Sequence, residues 1–159
     1  MSGLAGFAPL AAVCPLLAWA GISDLRHLRI PNWLVLGMVA VFLLTAPLLM
    51  LPETAMRLLA AAVVLLICTA LFHWRVLAGG DVKMMAAAML FVPSSALAAF
   101  GWCFSAALIA VAVAVTAMRV SPPAAAAEWA AVQAPGSLPM GAAISLGLAV
   151  LPVAAGLIG

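Results

Sequence analysis

Charge is what this chain has least of. Of its 159 residues only 6% are charged and 69% are hydrophobic, whereas a soluble domain carries about 25% charged and 45–50% apolar residues. Such a chain cannot be solvated as a globule in water, so lipid is its expected solvent. The formal net charge of +2 is too small to point to a nucleic-acid partner. Cysteine is scarce as well: Cys14, Cys68 and Cys103 sit inside apolar runs, spaced too widely for any paired-cysteine metal motif. They read as small apolar side chains of a helix bundle. His27 and His73 fall at span ends with no second ligand at a helpful spacing, so they read as interfacial and no metal or other cofactor is expected. Residues Met1 to Phe7 lack the basic segment of a cleavable signal peptide, which makes the first apolar run a mature span.

What the chain does have is apolar runs. A spanning helix needs roughly 20 apolar residues, so there is room for about six spans and no soluble domain. The runs extend from about Leu4 to Ile22, Trp33 to Leu51, Ala55 to Phe72, Val82 to Val92, Ser95 to Met118 and Leu138 to Ile158. The stretch from Val82 to Met118 is slightly short for two spans of ~20 residues, so Pro93-Ser94-Ser95 divides it into a short fourth helix and a long fifth. At ~1.5 Å per residue the short helix reaches only half-way across, as a helix bordering a protein-lined cavity is allowed to do. Asn32 is expected to cap the second helix, with Pro31 barring a continuous helix through the loop. Residues Ala124 to Val132 are expected to form a short surface helix within the one long loop.

Basic residues set the orientation. The first, third and fifth loops carry Arg26, Arg29, Arg75, Lys83 and Arg119, while the second carries only Arg57. Basic loops mark the cytoplasmic side, so both termini are expected outside. Trp19, Trp33, Trp74 and Trp102 lie mostly near span ends, as an aromatic belt requires. The expected fold is an all-α membrane protein, a single polytopic domain over 1–159.

Four acidic residues are present, and two of them, Asp24 and Asp81, close or open spans on the same predicted face. Carboxylates near a membrane boundary are costly, which makes them candidates for chemistry. Asp24 is expected at a helix C-terminus, where the macrodipole disfavours negative charge, and Asp81 at a helix N-terminus, where it favours it. Two such groups brought together would not both ionise, and one neutral with one ionised carboxyl is the working state of an aspartic protease. On this reading Asp81 is the base and Asp24 the acid. The plain alternatives are a helix cap for Asp81 and an interfacial neighbour of Arg26 for Asp24. Gly79-Gly80 reads either as a turn or as a place where absent Cβ atoms let substrate approach the carboxyl. Lys83 could tune Asp81, bind lipid phosphate or snorkel to the head groups, and snorkelling is the default for Arg75 and Arg119 too.

The stretch Asp24-Leu25-Arg26-His27-Leu28-Arg29-Ile30-Pro31-Asn32 resembles the D-x-R-x-x-x-I-P-N signature of type IV prepilin peptidases. Ala78-Gly79-Gly80-Asp81-Val82-Lys83 is similar to their G-x-G-D-V-K box, and Pro139-Met140-Gly141-Ala142-Ala143-Ile144 to their P-x-G-x-A-I segment. The resemblance implies an inner-membrane aspartic endopeptidase that removes the basic leader of prepilins or pseudopilins at the cytoplasmic face, with Asp24 and Asp81 catalytic. Arg26, Pro31, Asn32, Gly79, Gly80 and Lys83 are the implied supporting residues. The cysteine tetrad of the larger, methylating members has no counterpart here, so the chain resembles the short peptidase-only form associated with tight-adherence (Flp) pili, with no methyltransferase domain. Its departure is Ala78 in place of the first glycine of the box. Three readings compete. One is another two-aspartate intramembrane protease, such as an archaeal preflagellin peptidase or a presenilin-like enzyme, against which the Pro31-Asn32 signature argues. A second is a small proton- or cation-coupled transporter subunit, which would need a polar stripe along a span that these runs lack. The third is a catalytically inactive pilus-assembly protein.

Overall fold

A computed structural model describes residues 7–121, 128–134 and 136–158, and every regular element among them is helical. Helix α1 runs Ala8–His27 and α2 Asn32–Thr45, the latter prolonged by a 3-10 turn over Ala46–Leu48. Helix α3 is Leu51–His73, α4 Gly79–Met89 and α5 Leu97–Val120, with a 3-10 turn at Ser94–Ala96 leading into α5. A single turn, α6, spans Ala130–Gln133, and α7 is Met140–Ile158. Three stretches, Ala8–His27, Leu51–His73 and Ser94–Val120, are long and apolar enough to cross a membrane. Asn32–Leu48 and Met140–Gly156 are shorter apolar helices.

Several boundaries differ from those read in the sequence. The polar stretch after Ile22 does not end α1, which carries on through Asp24 to a left-handed C-cap at Leu28 (φ 50°), where the Leu28 N–H donates to the Asp24 carbonyl. Proline at Pro52 starts α3 instead of ending the helix before it, because the first helical turn has no use for that N–H. Arg57 is therefore no loop residue: it lies inside α3, only 1% exposed. Helix α4 begins three residues earlier than expected, and Asp81 is its third residue, with no side-chain cap bond. Asn32 likewise makes no cap bond; Pro31 holds the N-cap position. Most of the expected surface helix over 124–132 lies outside the described residues, and the observed turn begins at Ala130.

The short helix α4 sits centrally. It packs against α2, α3 and α7, while α7 also packs against α1 and α5. Val82, Met84 and the run Ala87 to Val92 are buried there, and Phe91 meets Phe42 of α2 edge-on with ring centroids 6.1 Å apart. The outer helices α3 and α5 turn Leu58, Leu59, Leu66, Ile67, Trp102, Ile109 and Val113 outward. On a soluble protein so large an apolar surface marks an interaction site; in this composition it is the lipid-facing surface. Helices approach closely where side chains are small: a Cβ on Gly147 of α7 would come within 3.1 Å of the Phe104 backbone of α5, the packing mode expected when lipid removes the hydrophobic drive between helices.

Candidate active site

Helical periodicity places Asp24. Leu10, Val13, Leu17, Ala20 and Asp24 are buried at alternating spacings of three and four, one stripe down α1 that faces the bundle. Continuing the helix past Ile22 thus carries a carboxylate inward, to 4% exposure. Burying a charge is tolerable only with partners. These come from the first turn of α7: the Gly141 N–H donates to Asp24 Oδ2 at 2.7 Å and the Ala142 N–H to the same oxygen at 3.3 Å. The first N–H groups of a helix have no partner within it and carry the positive end of its dipole, so they suit an anion.

That contact requires Gly141. A Cβ there would lie 2.9 Å from Ile30 Cδ1, 3.0 Å from Asp24 Oδ2 and 3.1 Å from Asp24 Cβ. Gly141 is thus a place where the fold itself leaves little room for a Cβ. A Cβ on Gly79 would make an ordinary contact with Phe72 at 3.5 Å, and one on Gly80 an ordinary contact with Ile30 at 3.6 Å. Ile30 thereby touches the surroundings of both aspartates. Ala78 stands in for a glycine without strain, since its φ of −80° and ψ of 149° are ordinary extended values.

Asp81 opens α4, outside the candidate spans, and is half-buried. Burial pushes its carboxyl up to about 6, the negative charge of Asp24 pushes the same way, and a backbone hydrogen bond from Ala78 opposes both. Ile30, lying beside both Gly80 and the Gly141–Asp24 contact, puts the two aspartates in one neighbourhood although they are 57 positions apart in the chain. Asp24 thus has two backbone donors, and Asp81 lies under the charge of Asp24. The helix-end argument from sequence weighed each aspartate against its own helix, and the end of α7 adds a second helix terminus at Asp24.

The supporting residues are arranged less directly. Lys83 Nζ donates to Asn32 Oδ1 at 3.1 Å, an exposed link between α4 and α2. The Arg26 guanidinium lies over the Trp129 ring, 5.9 Å from its centre, and so ties the end of α1 to the segment before α7. Pro31 sets the entry to α2 with φ −68°. Arg119 does not snorkel: its Nε and Nη2 donate to the carbonyl of Ala131, and Nη2 also donates to those of Ala134 and Ser137 at 2.9 and 2.6 Å. It holds the segment that delivers Gly141. That role, and the role of Trp129, carried no signal in the sequence beyond residue type. Among the described residues no cluster of three or more His, Cys, Asp or Glu side chains could hold a metal ion.

Two carboxyls, at the last turn of α1 and the first turn of α4, sit within residues 11–118, which match the profile of the Type IV leader peptidase family. The chain belongs to that family. Membership supports a prepilin leader peptidase-type function, and a prepilin substrate goes with it. No curated protein and no solved structure matches the chain. The Asp24 signature and the Gly79-Gly80-Asp81 box both fall within the matched residues, whereas Gly141 lies beyond them.

Proposed function

We propose that this protein is a membrane-embedded aspartic endopeptidase that removes the basic leader of Flp-like type IV prepilins at the cytoplasmic face of the bacterial inner membrane. Asp24 and Asp81 form its catalytic pair, and the chain works as one polytopic peptidase domain. The three long apolar helices, the two shorter ones and α4 make up six crossings, with the termini outside.

One observation carries the reading: burial and the charge of Asp24 raise the Asp81 carboxyl to about 6, while Asp24 itself is clasped by the N-terminus of α7. A pair poised with one ionised and one neutral member needs nothing more to activate water. In the mechanism that follows, ionised Asp24 accepts a proton from the water as its oxygen attacks the scissile carbonyl, and neutral Asp81 donates to the carbonyl oxygen. The resulting tetrahedral species then collapses as the leaving amine takes up a proton, and the pair returns to its starting charge. This reverses the roles read from the sequence, where Asp81 was the base. The proton belongs to the pair, so the assignment describes its reactive form, present below a pH of about 6.

Co-expression with a Flp-type prepilin, followed by a gel-shift assay for leader removal, tests the proposal. Conversion by wild type and none by Asp24→Asn or Asp81→Asn is the expected result. Conversion by either variant at the wild-type rate would remove the dyad.

A further inference from the structure

The face of the bundle away from the two aspartates holds a second polar cluster, which the family assignment does not use. Helix α4 has only 11 residues, or ~16 Å of length against a hydrocarbon core of ~30 Å. Its last carbonyls, those of Ala87, Ala88 and Met89, accept the N–H groups of Leu90, Phe91 and Val92, and the Leu90 carbonyl accepts from outside the helix. Helix α3 supplies the partner. Arg57, at 1% exposure, donates from Nη1 to the Leu90 carbonyl at 3.4 Å and from Nε to Glu53 Oε1 at 2.9 Å. Glu53 in turn accepts the Ser94 N–H at 2.9 Å on Oε1 and the Ser94 hydroxyl at 2.5 Å on Oε2. Leu90 and Ser94 bracket the connection from α4 to α5, so one ion pair on α3 grips that connection at both ends.

Arg57 is fully enclosed and Glu53 partly exposed; an ion pair with a desolvated member is a poor source of stability compared with apolar packing of the same volume, and its best-attested use is to fix register. Here the element whose register matters is α4. Its other end carries Asp81, beside the buried Val82 and Met84 and the exposed Lys83–Asn32 link. A rigid helix transmits a shift at one end to the other, and a misplacement of about 1 Å costs a catalytic site on the order of 100-fold.

We propose that Glu53 and Arg57 are positioning residues for Asp81: they fix the depth of α4 from its far end and so keep that carboxyl within the influence of Asp24. The proposal rests on the dyad reading, and its test can fail separately.

The chain holds two aspartates, so carboxyl-13C aspartate labelling of the full-length protein in detergent gives two signals, assigned with the Asp→Asn variants. Asp24 on α1 is the charged group whose influence reaches Asp81. Arg57→Met leaves Glu53 unpaired and risks unfolding, so the double variant Glu53→Gln/Arg57→Met, which removes both charges at similar volume, carries the test. We expect a folded protein whose Asp81 titration falls by about half a pH unit or more as its carboxyl moves away from Asp24. For prepilin cleavage we expect kcat to fall about tenfold with KM within about twofold. An unmoved Asp81 titration in the folded double variant overturns the proposal. Failure of the double variant to fold makes the pair a stability element and overturns it too. Should wild type cleave no prepilin, the peptidase reading fails while the titration still decides whether this pair positions Asp81.

Discussion

Gly141 donates its backbone N–H to Asp24 Oδ2 at 2.7 Å, joining residues 117 positions apart in the chain. The bond brings two helix ends to one carboxylate. The C-terminal turn of α1 opposes its charge, and the N-terminal turn of α7, with a second donor at Ala142, supports it.

Replacing Gly141 by alanine tests that relationship directly. The new Cβ would meet Ile30 and Asp24 at 2.9 to 3.1 Å, and overpacking of this kind costs about 1–3 kcal/mol. Either α7 withdraws from Asp24 or the carboxylate turns away. Leader cleavage should fall by about 10²-fold with a lower melting temperature in detergent. Retention of wild-type kcat would show that α7 does not hold the reacting form.

Activity should depend on a protonated Asp81. Its carboxyl is pushed up to about 6, so the neutral form is present below that pH and lost as pH rises through it. The alkaline limb of the pH–rate profile for kcat is therefore expected near 6. In Asp24→Asn the neighbouring negative charge is gone, and the Asp81 titration, followed by carboxyl NMR, should move down. It should stop above the ordinary carboxylate value of 3.8, because burial remains. An upward movement would reverse the sign of the coupling.

Conversion of either aspartate to asparagine removes one half of the acid–base work and should cost about 10²–10⁴-fold in kcat. Both variants keep side-chain volume, so membrane insertion and melting should stay near wild type. A rate loss that tracks loss of folded protein would make these residues structural.

Arg119 is expected to matter through the segment it grips. Arg119→Ala removes donors to the carbonyls of Ala131, Ala134 and Ser137, each such charge-assisted bond being worth about 1.5–3 kcal/mol where buried. Limited proteolysis should cut within 128–137 in this variant and spare wild type. Lysine should rescue poorly, because an ammonium cannot reproduce the planar fork.

Lys83→Met gives the contrasting case. The Lys83–Asn32 bond is exposed, so its loss should cost no more than about 1 kcal/mol and leave cleavage within about threefold of wild type. A larger loss would give Lys83 a direct part in binding the substrate.

Much was legible without coordinates. The scarcity of charge required lipid, and the run lengths gave helices in the right order, including a short one between Gly80 and Pro93. Family signatures around Asp24 and Asp81 marked both acids because local motifs survive in a linear reading. Arg57 shows where that reading stopped. Pro52 and Glu53 look like the end of a helix and are its beginning, so a buried arginine passed for a loop charge. Arg119, Trp129 and Gly141 were missed as partners because each acts on a residue that only folding brings near.

By itself, then, the sequence determined the solvent, the helical class and the family, since composition and short-range pattern act locally along the chain. Tertiary structure decided what surrounds each acid, because the N-terminus of α7 meets Asp24 only when the bundle is packed. Electrostatic preference is set by what lies a few ångströms away in space, and chain separation carries no information about that distance.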